Sequence, residues 1–314
     1  MNKKLGHDAI YDARELGIPR MLLLGLQHLF AMFGATVLVP ILVTGYGLPL
    51  SIQTTLLFAG IGTLLFHVCT KFKVPAFLGS SFAFLGGFQA VADLNTGKFA
   101  AMTGEEKLPY ALGGVVIAGL LYLVLALLFK LVGAKKVMRF FPPIVTGPII
   151  IAIGLNLSSS AINNCTGSWW IAIAAILIIV AANIWGKGMI KIIPILLGVI
   201  GSYLLAVIFD AHVRANLVAN VSEAKWFALP IKMEQTVFGL FASGNVDAHK
   251  LLTAVITIVP LSLATMVEHI GDVSAISSTC NRNYIENPGL HRTLMGDGLA
   301  TTLAALFGAP ANTT

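Results

Sequence analysis

Between Arg20 and Lys71 lie fifty consecutive residues without an Asp, Glu, Lys or Arg, and between Arg139 and Lys187 lie forty-seven more. A helix needs roughly 20 apolar residues to cross a bilayer, so each run has room for two crossings. Only 11% of the 314 residues are charged while 57% are apolar; soluble globular chains carry about 25% and 45–50%. So few charges cannot coat a water-facing surface, which excludes a soluble enzyme, a nucleic-acid-binding module and a disordered scaffold. The chain reads as an all-α polytopic membrane protein.

Apolar runs between charges and Pro/Gly breaks predict crossings over residues 21–44, 50–69, 109–133, 137–160, 168–186, 189–209, 250–272 and 293–308. The stretch 75–91 is apolar but interrupted by Pro75, Gly79, Ser80, Ser81, Gly86 and Gly87, and reads as a broken crossing, partly extended and partly helical. With the N-terminus cytoplasmic, 14 of the 20 Lys and Arg fall inside and 6 outside. The short loops obey the positive-inside rule only if 75–91 crosses once. The net charge of +6 is therefore an orientation signal. The first twenty residues mix both charge signs and do not resemble a cleavable signal peptide. Trp169, Trp170 and Trp185 sit at opposite ends of one predicted helix, as an aromatic belt requires. The longest polar stretch is 210–249, in which residues 236–241 are apolar enough to lie along the outer interface. Cys69, Cys165 and Cys280 are scattered and form neither a disulfide framework nor a metal knuckle.

Of 14 acidic residues, only Glu268, Asp272 and Asp297 fall within predicted crossings. A carboxylate at the centre of a membrane helix costs about 2.5–3.5 kcal/mol on insertion scales, so such groups usually face an aqueous cavity and handle an ion or substrate. Glu268 and Asp272 are four apart on one helical face, and His269 points about 100° away. His28, beside Gln27 in the first crossing, reads either as a helix–helix hydrogen bond or as a proton relay. No catalytic or metal-ligating set stands out, because Glu268-His269-Ile270-Gly271-Asp272 offers no His pair at helical spacing.

In the broken stretch, Pro75 disfavours helix and Gly79-Ser80-Ser81 can start one, which exposes backbone N–H groups at mid-membrane, where secondary transporters bind substrate. Gly308-Ala309-Pro310-Ala311-Asn312-Thr313-Thr314 repeats that grammar. Two similar breaks point to an inverted repeat with a site between them: a secondary transporter, proton-coupled through Glu268.

These residues also carry a resemblance. Gln27 to Pro40 (QHLFAMFGATVLVP), Pro75 to Phe84 (PAFLGSSFAF), Trp226 to Pro230 (WFALP), Glu268 to Gly271 (EHIG), Pro288 to Arg292 (PGLHR) and Asn312-Thr313-Thr314 resemble, in order, landmarks of the nucleobase–cation symporter-2 (nucleobase–ascorbate transporter) family, uracil-type members above all. The resemblance implies a fold of two inverted seven-segment repeats, with short strands in segments 3 and 10 meeting at the substrate. It implies a cytoplasmic N-terminus at 1–20 and core-domain segments 1–4 at 21–134. Gate-domain segments 5–7 would follow at 135–210, an extracytoplasmic loop at 211–249, and core segments 8, 9 and the start of 10 at 250–314. Carried over by position, Glu268 would take the base's ring N–H, backbone at Phe82 and Ala35 would frame the base, and the Phe82 ring would lie nearby.

The implied activity is uptake of a nucleobase, uracil, by alternating access in the bacterial inner membrane. The proton would be the coupling ion, with no cofactor, and Glu268, Asp272, Asp297 and His28 the coupling candidates. Partners would be the small-molecule base and membrane lipid, with a homodimer possible and no nucleic acid. Two departures bear on this. Uracil-type members carry His four residues after the Glu where this chain has Asp272, and can carry Asn where it has Asp297; both positions resemble xanthine-type members, so a xanthine or purine symporter is the alternative. The family also continues past Asn312-Thr313-Thr314 into a second substrate-binding half-helix and four more segments, which implies that residues 1–314 alone do not transport.

Three rivals are weaker. An anion transporter would need basic groups at mid-membrane, and no Lys or Arg occurs at 251–281. An intramembrane enzyme would have to use Glu268 and Asp272 catalytically. A purely structural subunit has no use for three membrane carboxylates.

Overall fold

Ser51, Thr103 and Asp247 each begin a long apolar helix by accepting a hydrogen bond from a backbone N–H of its first turn, which satisfies donors a helix start otherwise leaves bare. The computed structural model describes residues 12–133, 136, 139, 143–191, 193–223, 229–242, 244 and 246–314. Lys3, Lys4, Lys135, Lys225 and Trp226–Ala228, which entered the orientation and resemblance arguments, lie outside the described residues.

The helices are α1 (Ile18–Gly45), α2 (Ile52–Cys69), α3 (Leu85–Ala92), α4 (Gly104–Val132), α5 (Pro143–Cys165), α6 (Trp169–Trp185), α7 (Pro194–Phe209), α8 (Ala211–Glu223), α9 (Val237–Ala242), α10 (Ala248–Thr279) and α11 (Leu290–Leu306). Two short strands, β1 (Gly79–Ser80) and β2 (Asn312–Thr313), and a few single helical turns, among them Phe82–Phe84 and Ile285–Gly289, accompany them. Among the described residues α1, α2, α4 and α10 are each long and apolar enough to cross a membrane singly. The helical, polytopic expectation stands.

The chain divides into two units. One comprises Ala35–Gly154 with Pro230–Thr314, the other residues 12–34 with Leu155–Leu229. In the second unit α6 packs on α7, with Trp170 edge-on to Phe209 at 5.6 Å between ring centres. There α7 and α8 meet at a bend of 108°, where the Asp210 carboxylate accepts from the backbone N–H of His212 and starts α8. The region expected to be a loop over 211–249 thus contains a 13-residue helix. The apolar segment expected at the outer interface is α9, with Val237 and Leu240 buried in the first unit.

In the first unit α11 packs against α4 and α2, and α10 against α4 and α3. Tyr122, Phe66, Leu78, Met266, Ile270 and Leu294 lie together in its core. Small residues let the helices approach: a Cβ on Gly298 of α11 would sit 2.8 Å from the Gly119 carbonyl oxygen of α4. This is how membrane helices gain dispersion contact where lipid supplies no hydrophobic drive.

The break expected at 75–91 is extended through Ser81, then turns helical from Phe82. Backbone that leaves the helix within a membrane must find partners in protein. Here β1 pairs antiparallel with β2, Gly79 opposite Thr313 and Ser80 opposite Asn312, and Ser81 N–H reaches the Ala311 carbonyl at 3.0 Å. Thr63 of α2 accepts from Leu78 N–H at 2.9 Å, and Ser80 Oγ donates to the Thr36 carbonyl at 3.0 Å. The far end of α3 is held by the buried Lys107, whose ammonium donates to the Ala92 carbonyl at 2.8 Å, a cation at a helix C-terminus.

Candidate functional site

Thr36 of α1, whose carbonyl Ser80 reaches, and Ser81, which follows β1 and precedes the Phe82–Phe84 turn, are both at least 96% buried. Neither hydroxyl has a hydrogen-bond partner among the described residues. Ser81 is the N-cap residue of the Phe82–Phe84 turn but its side chain makes no capping bond. Helix starts present N–H groups and a partial positive charge to a carbonyl or anion. Phe82 is half-buried and Ala35, just before Thr36, is exposed.

The long helix α10 packs against that turn and against α3. It carries Glu268 and Asp272 one turn apart, both half-buried. His269, next in sequence to Glu268, turns into the core and is fully buried. Its Nδ1 lies 2.9 Å from Asp297 Oδ2 of α11 and 2.8 Å from Thr314 Oγ1, and its Nε2 lies 2.9 Å from Thr293 Oγ1. Asp297 is wholly buried, and beyond this ion-pair approach neither of its oxygens has a partner among the described residues. One turn before Glu268, Thr265 Oγ1 accepts from Tyr122 Oη of α4 at 2.6 Å.

The structure thus gathers Ala35, Phe82, Glu268, Asp272 and Asp297 into one unit. His28 belongs to the other unit and is exposed at the surface of α1. The sequence reading missed His269, Thr293, Thr36 and Ser81. One signal was available for the first two: Thr293 and Asp297 are four apart on α11, hence on one face, and a His one residue from Glu268 had to point elsewhere. Among the described residues no three His, Cys, Asp or Glu side chains converge as a metal-binding set.

Outside the membrane-spanning segments, the Lys98 ammonium holds the Asp247 carboxyl below the usual carboxylate range, through paired hydrogen bonds of 2.8 and 3.1 Å. Backbone N–H groups of His249 and Lys250 act in the same direction. This ion pair ties the start of α10 to the turn before α4.

Apolar helices broken by two strands that pair inside the protein, with carboxylates beside the break, define an integral membrane protein of the permease class. Comparison with known proteins agrees. The family model Xan_ur_permease, described as "Permease family", matches residues 19–314, and the chain belongs to this nucleobase–ascorbate transporter family. It is 39% identical over 299 residues to the probable uracil permease of Haemophilus influenzae, covering 92% of this chain and 64% of that protein. It is 39% identical over 300 residues to the uracil permease of Bacillus caldolyticus, covering 93% and 63%. With the Escherichia coli uracil permease it shares 34% over 302 residues, covering 93% and 62%. The chain therefore spans under two thirds of the length of these relatives.

Proposed function

We propose that the protein takes up a nucleobase, uracil, together with a proton by alternating access across the bacterial inner membrane, its N-terminus in the cytoplasm. The observation that carries this is the packing of the Glu268 helix against the uncapped Phe82 turn. A flat heterocycle with alternating N–H donors and carbonyl acceptors fits such a place. The uracil permease names of its relatives support the same substrate.

Glu268 couples the two solutes through hydrogen-bond complementarity. In its protonated form the carboxyl group donates O–H to a ring carbonyl and accepts from the adjacent ring N–H, a two-point match. Once the proton leaves, the carboxylate faces the ring carbonyl with lone pairs only, and the base is released. Asp272, one turn away on the same helix, is the second coupling candidate. First-turn N–H groups at Phe82 address another carbonyl, and the Phe82 ring covers one face of the base. Rigid backbone donors of this kind cost little reorganisation.

Uptake of labelled uracil, driven by an imposed pH gradient into cells expressing the protein, tests this reading. Glu268→Gln retains a donor and an acceptor, so it is expected to bind uracil but not to accumulate it against a gradient. Gradient-driven accumulation by that variant would refute the coupling role. Asp272 and Asp297 favour a second reading, a xanthine-type substrate, and competition of labelled uracil by xanthine separates the two.

A further inference from the structure

We infer that His269 is the positioning residue of the Glu268 site, acting through the Asp297, Thr293 and Thr314 side chains that converge on its imidazole. The inference rests on the reading of Glu268 as the substrate-binding acid.

Each ring nitrogen of the buried imidazole has a hydroxyl within hydrogen-bond reach: Nε2 lies 2.9 Å from Thr293 Oγ1 and Nδ1 2.8 Å from Thr314 Oγ1. Asp297 Oδ2 approaches Nδ1 to 2.9 Å, and both of these side chains are without solvent exposure. Thr293 Oγ1 also lies 3.1 Å from the Leu290 carbonyl in the preceding turn of α11. A buried polar group is held in place by the partners it would lose on moving.

The consequence is mechanical. Three strands of structure meet at one imidazole: α10 through His269 itself, α11 through Thr293 and Asp297, and the end of the β2 strand through Thr314. His269 is the residue next to Glu268, so fixing the imidazole fixes the axial position and rotation of the turn that presents Glu268. The charged and titratable groups around Asp297 are Tyr122 from α4 and Glu268 and Asp272 from α10, all within electrostatic reach of it.

The test is uracil affinity of the purified protein, with thermal stability followed in parallel. Asp297→Asn keeps a polar partner of the same shape beside Nδ1, so the link survives. It is expected to recover most of the affinity that Asp297→Ala loses. His269→Ala and Asp297→Ala are each expected to weaken binding by about tenfold or more, as small misplacements of a binding group do. The double variant should be no worse than either single one, because both cut the same link. Thr293→Val, nearly isosteric, removes only the Nε2 partner and serves if His269→Ala does not fold; it is expected to weaken binding in the same direction. Asp297→Asn as damaging as Asp297→Ala overturns the inference. So does wild-type affinity in His269→Ala or Thr293→Val when Glu268→Ala has lost binding. If Glu268→Ala itself binds uracil normally, the underlying reading fails instead.

Discussion

The Asn312 side chain donates to the carbonyl oxygen of Phe58 at 2.6 Å, joining the β2 strand to the middle of α2. Its own backbone carbonyl accepts from Thr301 Oγ1 of α11 at 2.7 Å, and across the strand pair it faces Ser80. One buried residue thus holds the second break against two helices and the first break. Asn312→Ala removes the amide bond to α2, while the Thr301 bond to its carbonyl and the pairing with β1 remain. It is expected to destabilise the protein by about 1–3 kcal/mol, the cost of a lost buried hydrogen bond, and to weaken uracil binding in step. Thermal unfolding in detergent and binding measured on one preparation check both.

Gly298 and Gly119 supply the close contact of α11 with α4. A Cβ on Gly298 would meet the Tyr122 Cβ at 2.6 Å and the Gly119 carbonyl at 2.8 Å, neither of which can swing aside as a flexible side-chain tip would. Gly298→Ala is expected to cost roughly 1–3 kcal/mol by overpacking. Gly86→Ala, on an open face of α3 with nothing within 4 Å, is expected to be neutral or to stabilise by up to about 1 kcal/mol through a better helix former. The opposite order of melting temperatures would show that the α4–α11 contact is looser than described.

At the start of α10, Asp247 caps the helix and pairs with Lys98. Its carboxyl titrates below its unfolded value, so the pair stabilises the fold above about pH 4, the ordinary carboxylate range. That contribution is lost as pH falls through the lowered value. Stability of the wild type and of Asp247→Ala should therefore converge on acidification and stay separated at neutral pH. Because the pair is partly solvated, added salt should narrow the neutral-pH gap. Melting curves between pH 3 and 7 at two ionic strengths decide it; a gap that widens toward acid would reverse the assigned sign.

How far the fold could be read in advance differs from residue to residue. Charge-free runs and the position of Pro75 before Gly79-Ser80-Ser81 made both the helices and the first break visible, because each is a local property of the chain. Glu268 and Asp272 stood out for the same reason: an acid in an apolar run is costly wherever it lands. The partnership of Ser80 with Asn312 was not visible, since a two-residue strand has no periodicity of its own. Helix α8 was hidden by its even mixture of polar and apolar residues, and the Asp210 cap that starts it looks like any loop acid. His269 was the largest omission. A lone His in a membrane helix resembles any helix–helix contact, and only the placement of α11 and the chain end reveals that Asp297, Thr293 and Thr314 all converge on it.

Thr36 and Ser81 offer the sharpest separation of binding from stability. Their hydroxyls are buried and unpartnered among the described residues, and an unsatisfied buried hydroxyl costs about 1–3 kcal/mol. A bound ligand or an ordered water completes such a group. Thr36→Val and Ser81→Ala remove the hydroxyls with little change of shape, and the Thr36 carbonyl that Ser80 uses is untouched. Both variants are expected to melt at or above the wild-type temperature without ligand. In the presence of uracil they should gain less stabilisation than the wild type does, because ligand binding raises apparent stability in proportion to affinity. An affinity loss of about tenfold would correspond to about 1.4 kcal/mol of missing interaction. Melting temperatures with and without saturating uracil read both effects in one experiment. Lower stability without ligand, or an undiminished shift with it, would mean that these hydroxyls serve the packing of the β1 break and not the base.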